Sequence, residues 1–158
     1  MSDLTHFDAE GGSRMVDVGA KEVTHRVARA SGRVRMNSST LELVRNRKLA
    51  KGDVFEVARL AGIMAAKRTH DLVPLCHQVP LDAVELAFGF PDNERVSIEA
   101  TARATARTGV EMEALVAAST AALVIYDMCK SVDRGMVIEQ VQLEEKSGGR
   151  SGHFRRTP

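Results

Sequence analysis

The sequence has no tryptophan, one tyrosine and only 4% aromatic residues in all. It therefore offers no platform on which the bases of a single-stranded nucleic acid would stack. It has no excess of charge either: 22 Lys and Arg stand against 21 Asp and Glu, a net of +1. A global electrostatic pull toward nucleic acid or an anionic membrane is excluded, so any anionic ligand must be met by a local cluster. No run of eighteen apolar residues occurs, and the opening MSDLTHFDAEGG is polar and acidic where a signal peptide is basic and then apolar. A cytoplasmic protein is the expectation. The two cysteines, Cys76 and Cys129, lie far apart and outside any Cys-x-x-Cys spacing. Neither a disulfide framework nor a thiolate metal site is legible in them, and both are expected as free thiols.

What is present is a core-forming composition, 44% hydrophobic, at the length of one average domain. Residues 1–14 and 147–158 are rich in Gly, Ser and polar groups and are expected as mobile ends around one compact unit over 15–146. Val34 and Met36 alternate with Arg33 and Arg35 at the end of a first strand starting near Val27. Ser38, Ser39 and Thr40 offer caps for a short helix to about Lys48. Asp53 with Glu56 three residues on opens a longer helix, whose apolar residues recur at helical spacing until it fades near Thr69.

Strict alternation over 84–90 and 96–104, around the turn residues Pro91-Asp92-Asn93, reads as a long hairpin with one dry face. Glu111 to about Ser131 lacks Gly and Pro and is rich in Ala and Leu, so it predicts a long helix, and 136–143 predicts a last strand. The order is β, two helices, β, β, α, β. This is an α+β, ferredoxin-like antiparallel sheet with helices packed on one face and an extra helix in the first crossover. Such a fold carries many unrelated activities and does not by itself name one.

Four places hold candidate chemistry. Lys51-Gly52-Asp53 opens the first long helix, where free backbone N–H groups and the dipole favour an anion, although a lone loop lysine is usually just solvated. Lys67 and Arg68 leave the same helix at its far end, where cations also suit the dipole for purely structural reasons. Leu75-Cys76-His77 sits on a loop stiffened by Pro74 and Pro80, which can present an imidazole. An inert histidine fits as well, and the other four histidines show no metal-ligand spacing. Glu113, Thr120 and Asp127 recur every seven residues on one face of the last helix, with Lys130 three beyond Asp127. Exposed, Asp127 and Lys130 are a surface pair worth under about 1 kcal/mol. Partly buried beside a second lysine, they become coupled acid/base groups.

Seven words in order carry a resemblance: Met15-Val16-Asp17-Val18, Lys51-Gly52-Asp53-Val54, Ala61 to Thr69 (AGIMAAKRT), Leu75-Cys76-His77, Thr108 to Leu115 (TGVEMEAL), Ile125 to Lys130 (IYDMCK) and Lys146-Ser147-Gly148-Gly149. Together, over about residues 2–154, the chain resembles the molybdenum cofactor biosynthesis protein C family, the cyclic pyranopterin monophosphate synthases. Gly19 stands where many relatives have Ser, and His70 where Trp or Pro is common. Neither falls on a matched catalytic position.

The resemblance implies a lyase acting on 3′,8-cyclised dihydro-GTP, the product of a radical enzyme, and yielding the cyclic pterin monophosphate and diphosphate. It implies a homohexamer built as a trimer of dimers, with each active site between two subunits. On that view Lys51 and the polar stripe of the last helix need not meet within one chain. Carried over by position, Asp127 is the acid/base group, with Lys51, Lys130 and His77 around it. Leu75, Cys76, His77, Met112 and Glu113 bind substrate, and Lys67 and Lys146 meet the triphosphate. The residue types suit the chemistry. Crowded lysines and a carboxylate exchange protons, cations stabilise departing diphosphate, and Glu113 can accept two hydrogen bonds from a guanidine-like edge. No cofactor is required, and magnesium is expected only in company with the triphosphate, since no carboxylate cluster demands it. The rival from another class is a non-catalytic nucleotide-sensing module, which needs an anion site but no Asp127–Lys130 pair.

Overall fold

A computed structural model describes residues 6–157. Residues 1–5 of the expected N-terminal segment and residue 158 of the expected tail lie outside them. The chain runs β1 (Thr24–Arg35), α1 (Ser38–Arg45), α2 (Val54–Ala66), α3 (Thr69–Leu72), β2 (Ala83–Gly89), β3 (Arg95–Ala106), α4 (Glu111–Cys129), β4 (Val137–Ser147) and β5 (Phe154–Arg155). All neighbouring strands pair antiparallel in the order β2-β3-β1-β4-β5. The first four strands thus take the ferredoxin-like order that the sequence pattern predicts.

Two elements go beyond that pattern. The first crossover ends in the single turn α3, and the segment expected as a mobile tail contributes β5, whose Phe154 and Arg155 pair with Lys146 and Glu145. Hydrogen bonds across a sheet edge leave no periodicity in so short a stretch, so nothing in the sequence marks it. At the other end Phe7 and Ser13 form an isolated bridge. The cap of α1 is Asn37, one residue before the expected serines, and its side chain makes no cap bond. Asp53 caps α2 as its position predicts, accepting from the N–H groups of Phe55 and Glu56.

The core is built of small side chains. Ala28 and Ala30 of β1, Ala100, Ala102 and Ala104 of β3, and Ala114, Ala117, Ala118, Ala121 and Ala122 of α4 are all fully buried. Alanine on both surfaces lets α4 lie close against the middle of the sheet, with Val34, Ile98 and Ile125 filling the wider places. α2 packs on α4, and the approach is close at Gly62. A Cβ there would stand 2.7 Å from Leu86 Cδ2 and 3.0 Å from the Ala117 carbonyl oxygen. The apolarity of α4, long enough to cross a bilayer, is accounted for by this packing: nine of its residues are buried.

The other face of the sheet is covered by cross-strand ion pairs, including Arg29–Glu99 at 2.9 Å, Arg35–Glu139 at 2.8 Å and Arg103–Glu85 at 2.8 Å. The dry-face alternation of the hairpin is therefore borne out, with Val96, Ile98 and Ala100 inward and Ser97 and Glu99 outward.

Candidate active site

The start of α2 lies beside the end of α4, and Gly62 lies against Ala117, so the two helices run antiparallel. Gly52, at φ +97°, turns the chain just before the Asp53 cap. From that loop Lys51 Nζ donates to the carbonyl oxygen of Asp127 at 3.0 Å and lies 3.9 Å from its Oδ2. That carbonyl belongs to the last turn of α4, whose orphan acceptors and negative dipole end attract a cation. Lys130 Nζ, one turn on, donates to Asp127 Oδ1 at 2.5 Å. Lys130 first and Lys51 second hold the Asp127 carboxyl below the usual carboxylate range.

Lys51 and the last helix, which on the resemblance need not meet in one chain, do meet here at Asp127, because α2 folds back antiparallel on α4. The trio is nonetheless open to solvent, with Asp127 60% exposed at its side chain. In one chain it is the surface arrangement and not the buried one.

Leu75, Cys76, His77, Met112 and Glu113 come together at the opposite end of α4, around a cavity of about 420 Å³ that Lys21 and Thr108 also line. His77 donates from Nε2 to the Val16 carbonyl oxygen at 2.6 Å, which leaves Nδ1 free to accept in the neutral ring. Glu113 is only 4% exposed, and burial, with Glu111 adding repulsion, raises its carboxyl to about 7. Burial likewise raises the Cys76 thiol. Cys129 is raised to about 11 by burial and is chemically quiet.

Lys21 also lines a second cavity of about 470 Å³, with Thr24, Arg26 and Arg150, so the two cavities are neighbours. Arg26 is 9% exposed and has no carboxylate partner among the described residues; Nε and Nη2 donate to the carbonyl oxygens of Ala106 and Arg107. Gly149, at φ +73°, passes so near Arg26 that a Cβ would fall 1.9 Å from its Nη1. The glycines after Lys146 are thereby explained: they let the strand end close over the guanidinium. Lys146 bonds Ser151 at the rim of this cavity. Lys67 caps the far end of α2, exposed, at the Glu113 end of the helix pair.

Nothing in the sequence reading singled out Lys21, Thr24 or Arg26. Arg26 alternates like any strand residue, and only its burial without an acid among the described residues betrays it. Thr24 is similar: its hydroxyl is buried and unpartnered among the described residues. No group of three His, Cys, Asp or Glu suited to a metal occurs among the described residues.

The predicted residues thus form two clusters separated by the length of α4. Glu113 and Asp127 are fourteen residues apart, or about 21 Å at 1.5 Å per residue. Residues 15–149 match the model of the MoaC family. The chain belongs to the MoaC family. It is 60% identical over 158 residues to the cyclic pyranopterin monophosphate synthase of Magnetococcus marinus, covering 99% of this chain and 96% of the relative. It is 56% identical to that of Heliobacterium modesticaldum, with 99% of both chains covered. It is also 58% identical to cyclic pyranopterin monophosphate synthase 3 of Mycobacterium tuberculosis, over 97% of this chain and 86% of the relative. In this MoaC chain the matched residues 15–149 span both clusters.

Proposed function

We propose that the protein is a cyclic pyranopterin monophosphate synthase of molybdenum cofactor biosynthesis, converting 3′,8-cyclo-7,8-dihydroguanosine 5′-triphosphate to cyclic pyranopterin monophosphate and diphosphate. The observation that carries this reading is the pair of lysines, Lys51 and Lys130, converging on the single carboxylate Asp127. The rearrangement opens the imidazole part of the purine, closes a pyrazine ring and forms a cyclic phosphate. The ring steps break and form C–N bonds with the attendant proton transfers, and the cyclic phosphate forms as diphosphate is displaced at phosphorus, with no net exchange of electrons. Asp127 takes and returns protons as the acid/base group, with the two ammonium groups as its exchange partners. A nucleotide-sensing module would have no use for such a trio.

At the other cluster, Glu113 accepts from the amine edge of the base, and Met112, Leu75 and Cys76 supply apolar walls. The triphosphate lies toward Lys21, Arg26 and Lys146, with Lys67 at the margin. Arg26, desolvated and without a counter-charge among the described residues, binds a phosphate more strongly than an exposed arginine would. Magnesium, where present, arrives with the triphosphate.

Because substrate cannot span about 21 Å within one chain, the complete site joins the Asp127 end of one subunit to the His77 and Glu113 end of another. The neighbour supplies the water exclusion that the exposed Asp127 trio lacks alone. Val57, Leu60 and Met64 line an exposed apolar stripe on α2, which supports assembly of several copies as a trimer of dimers.

The test is incubation with the cyclised dihydro-GTP, following diphosphate release and the fluorescence of the oxidised pterin. Wild type is expected to turn over, and Asp127→Ala and Lys51→Ala to lose at least about 100-fold in kcat with folding intact. Tight binding without release would favour the sensing module instead.

A further inference from the structure

Asp133 is 6% exposed, yet no arginine, lysine or histidine lies in salt-bridge range of it among the described residues. A buried carboxylate without a counter-cation persists only where hydrogen-bond donors replace its water. Here they come from two separate elements. Oδ2 accepts from the Asn37 N–H at 2.8 Å and the Thr40 hydroxyl at 3.3 Å, and Oδ1 accepts from the Gly135 N–H at 3.0 Å. The first two donors belong to the start of α1, where the Asn37 side chain makes no cap of its own. Asp133 thus anchors α1 from a loop 93 residues further along the chain.

The loop carrying Asp133 is bound equally closely to α4. The N–H groups of Val132 and Asp133 both donate to the Cys129 carbonyl oxygen, at 3.0 and 3.1 Å. The Tyr126 hydroxyl donates to the Arg134 carbonyl oxygen at 3.1 Å. One carboxylate therefore joins the last turn of α4, which bears Asp127 and Lys130, to α1, whose exit loop bears Lys51. Those three groups meet at exposed side chains, and Lys51 is held by the backbone carbonyl of Asp127 itself, so the spacing of the two backbone segments bears directly on their contact.

We infer that Asp133 is a positioning residue for the Lys51–Asp127–Lys130 trio, fixing the distance between the two backbone segments that deliver the lysines. It touches none of the three and takes no part in proton transfer. The inference rests on the proposed synthase reading for its kinetic arm only.

Two variants test it: Asp133→Asn, which keeps shape but turns one acceptor into a donor facing N–H groups, and the milder Thr40→Val, which deletes one bond of the clamp. Each is compared with wild type well below its Tm. Steady-state synthesis is measured alongside the titration of the Asp127 carboxyl by 13C NMR, the signal being assigned with Asp127→Asn. The expected result for Asp133→Asn is a fall in kcat of about 10-fold with KM within about twofold. The Asp127 titration should move up toward the ordinary Asp range, and Thr40→Val should shift both readings the same way by less. A residue that only stabilises the fold would lower Tm and leave both readings in place. Either an unmoved Asp127 titration or an unchanged kcat in folded Asp133→Asn overturns the inference. Should wild type lack synthase activity, the proposed function fails on its own, and the carboxyl titration alone then decides the role of Asp133.

Discussion

Glu113 and Asp127 are both acids on one helix, and their surroundings drive them in opposite directions. Asp127 is exposed beside Lys130 and Lys51, which hold its carboxyl below the usual carboxylate range. Glu113 is buried beside another acid, and its carboxyl is raised to about 7. The pH consequence for Glu113 follows from linkage. The folded state holds a proton that the unfolded chain has already lost above about pH 4.5, so stability falls as pH rises from there to about 7 and the deficit is constant above. Glu113→Gln should therefore match wild type in Tm near pH 4.5 and exceed it by about 5 °C at pH 8. Scanning calorimetry of the two proteins across that range checks this, and a Tm difference independent of pH would contradict it. A bound ligand offering two N–H donors would restore the ionised form.

At the scale of elements, the contact of α2 on α4 decides where Lys51 falls. Gly62 makes that contact close, and it is in a helix interior, where glycine is otherwise unfavourable by about 1 kcal/mol. Gly62→Ala gains in helix propensity but drives a methyl into the Ala117 carbonyl and Leu86. Leu86 can turn aside and a backbone carbonyl cannot, so α2 must shift. The net cost is expected at about 1–2 kcal/mol, read as a Tm lower by about 3–6 °C. A rise in Tm would mean that the helices have room to separate.

Much of this scale is legible in the sequence. Asp53 as a cap, the alternating hairpin and the unbroken run from Glu111 each state their element through local chemistry. β5 and the turn α3 are not legible. Their few residues are held by neighbours brought up by the rest of the fold, as Lys146 is brought against Phe154.

For the whole molecule, the single chain presents two clusters of candidate site residues at the two ends of α4. If a complete site takes Lys51 from one subunit and His77 from another, Lys51→Ala and His77→Ala are each inactive alone. Unfolded together and refolded as mixed assemblies, they should recover about a quarter of wild-type activity. Half of randomly formed dimers are mixed, and each of those keeps one intact site of two. Activity of the refolded mixture no higher than that of either variant would place the whole site in one chain. The apolar stripe of Val57, Leu60 and Met64 on α2 is then a surface without a use.

The sequence by itself determined the longer secondary elements, the α+β class and the membership that its ordered words announce, because these depend on local periodicity, capping chemistry and residue identity. It also named Lys51, Asp127 and Lys130 as well as the residues around His77. Only the tertiary structure decided that the first three meet in one chain while His77 and Glu113 stand at the far end, since that depends on α2 running antiparallel to α4. It alone exposed Arg26 as a buried cation without an acid, and Asp133 as a buried acid without a cation, among the described residues. Burial and missing partners are relations between distant segments, and no single stretch of sequence carries them.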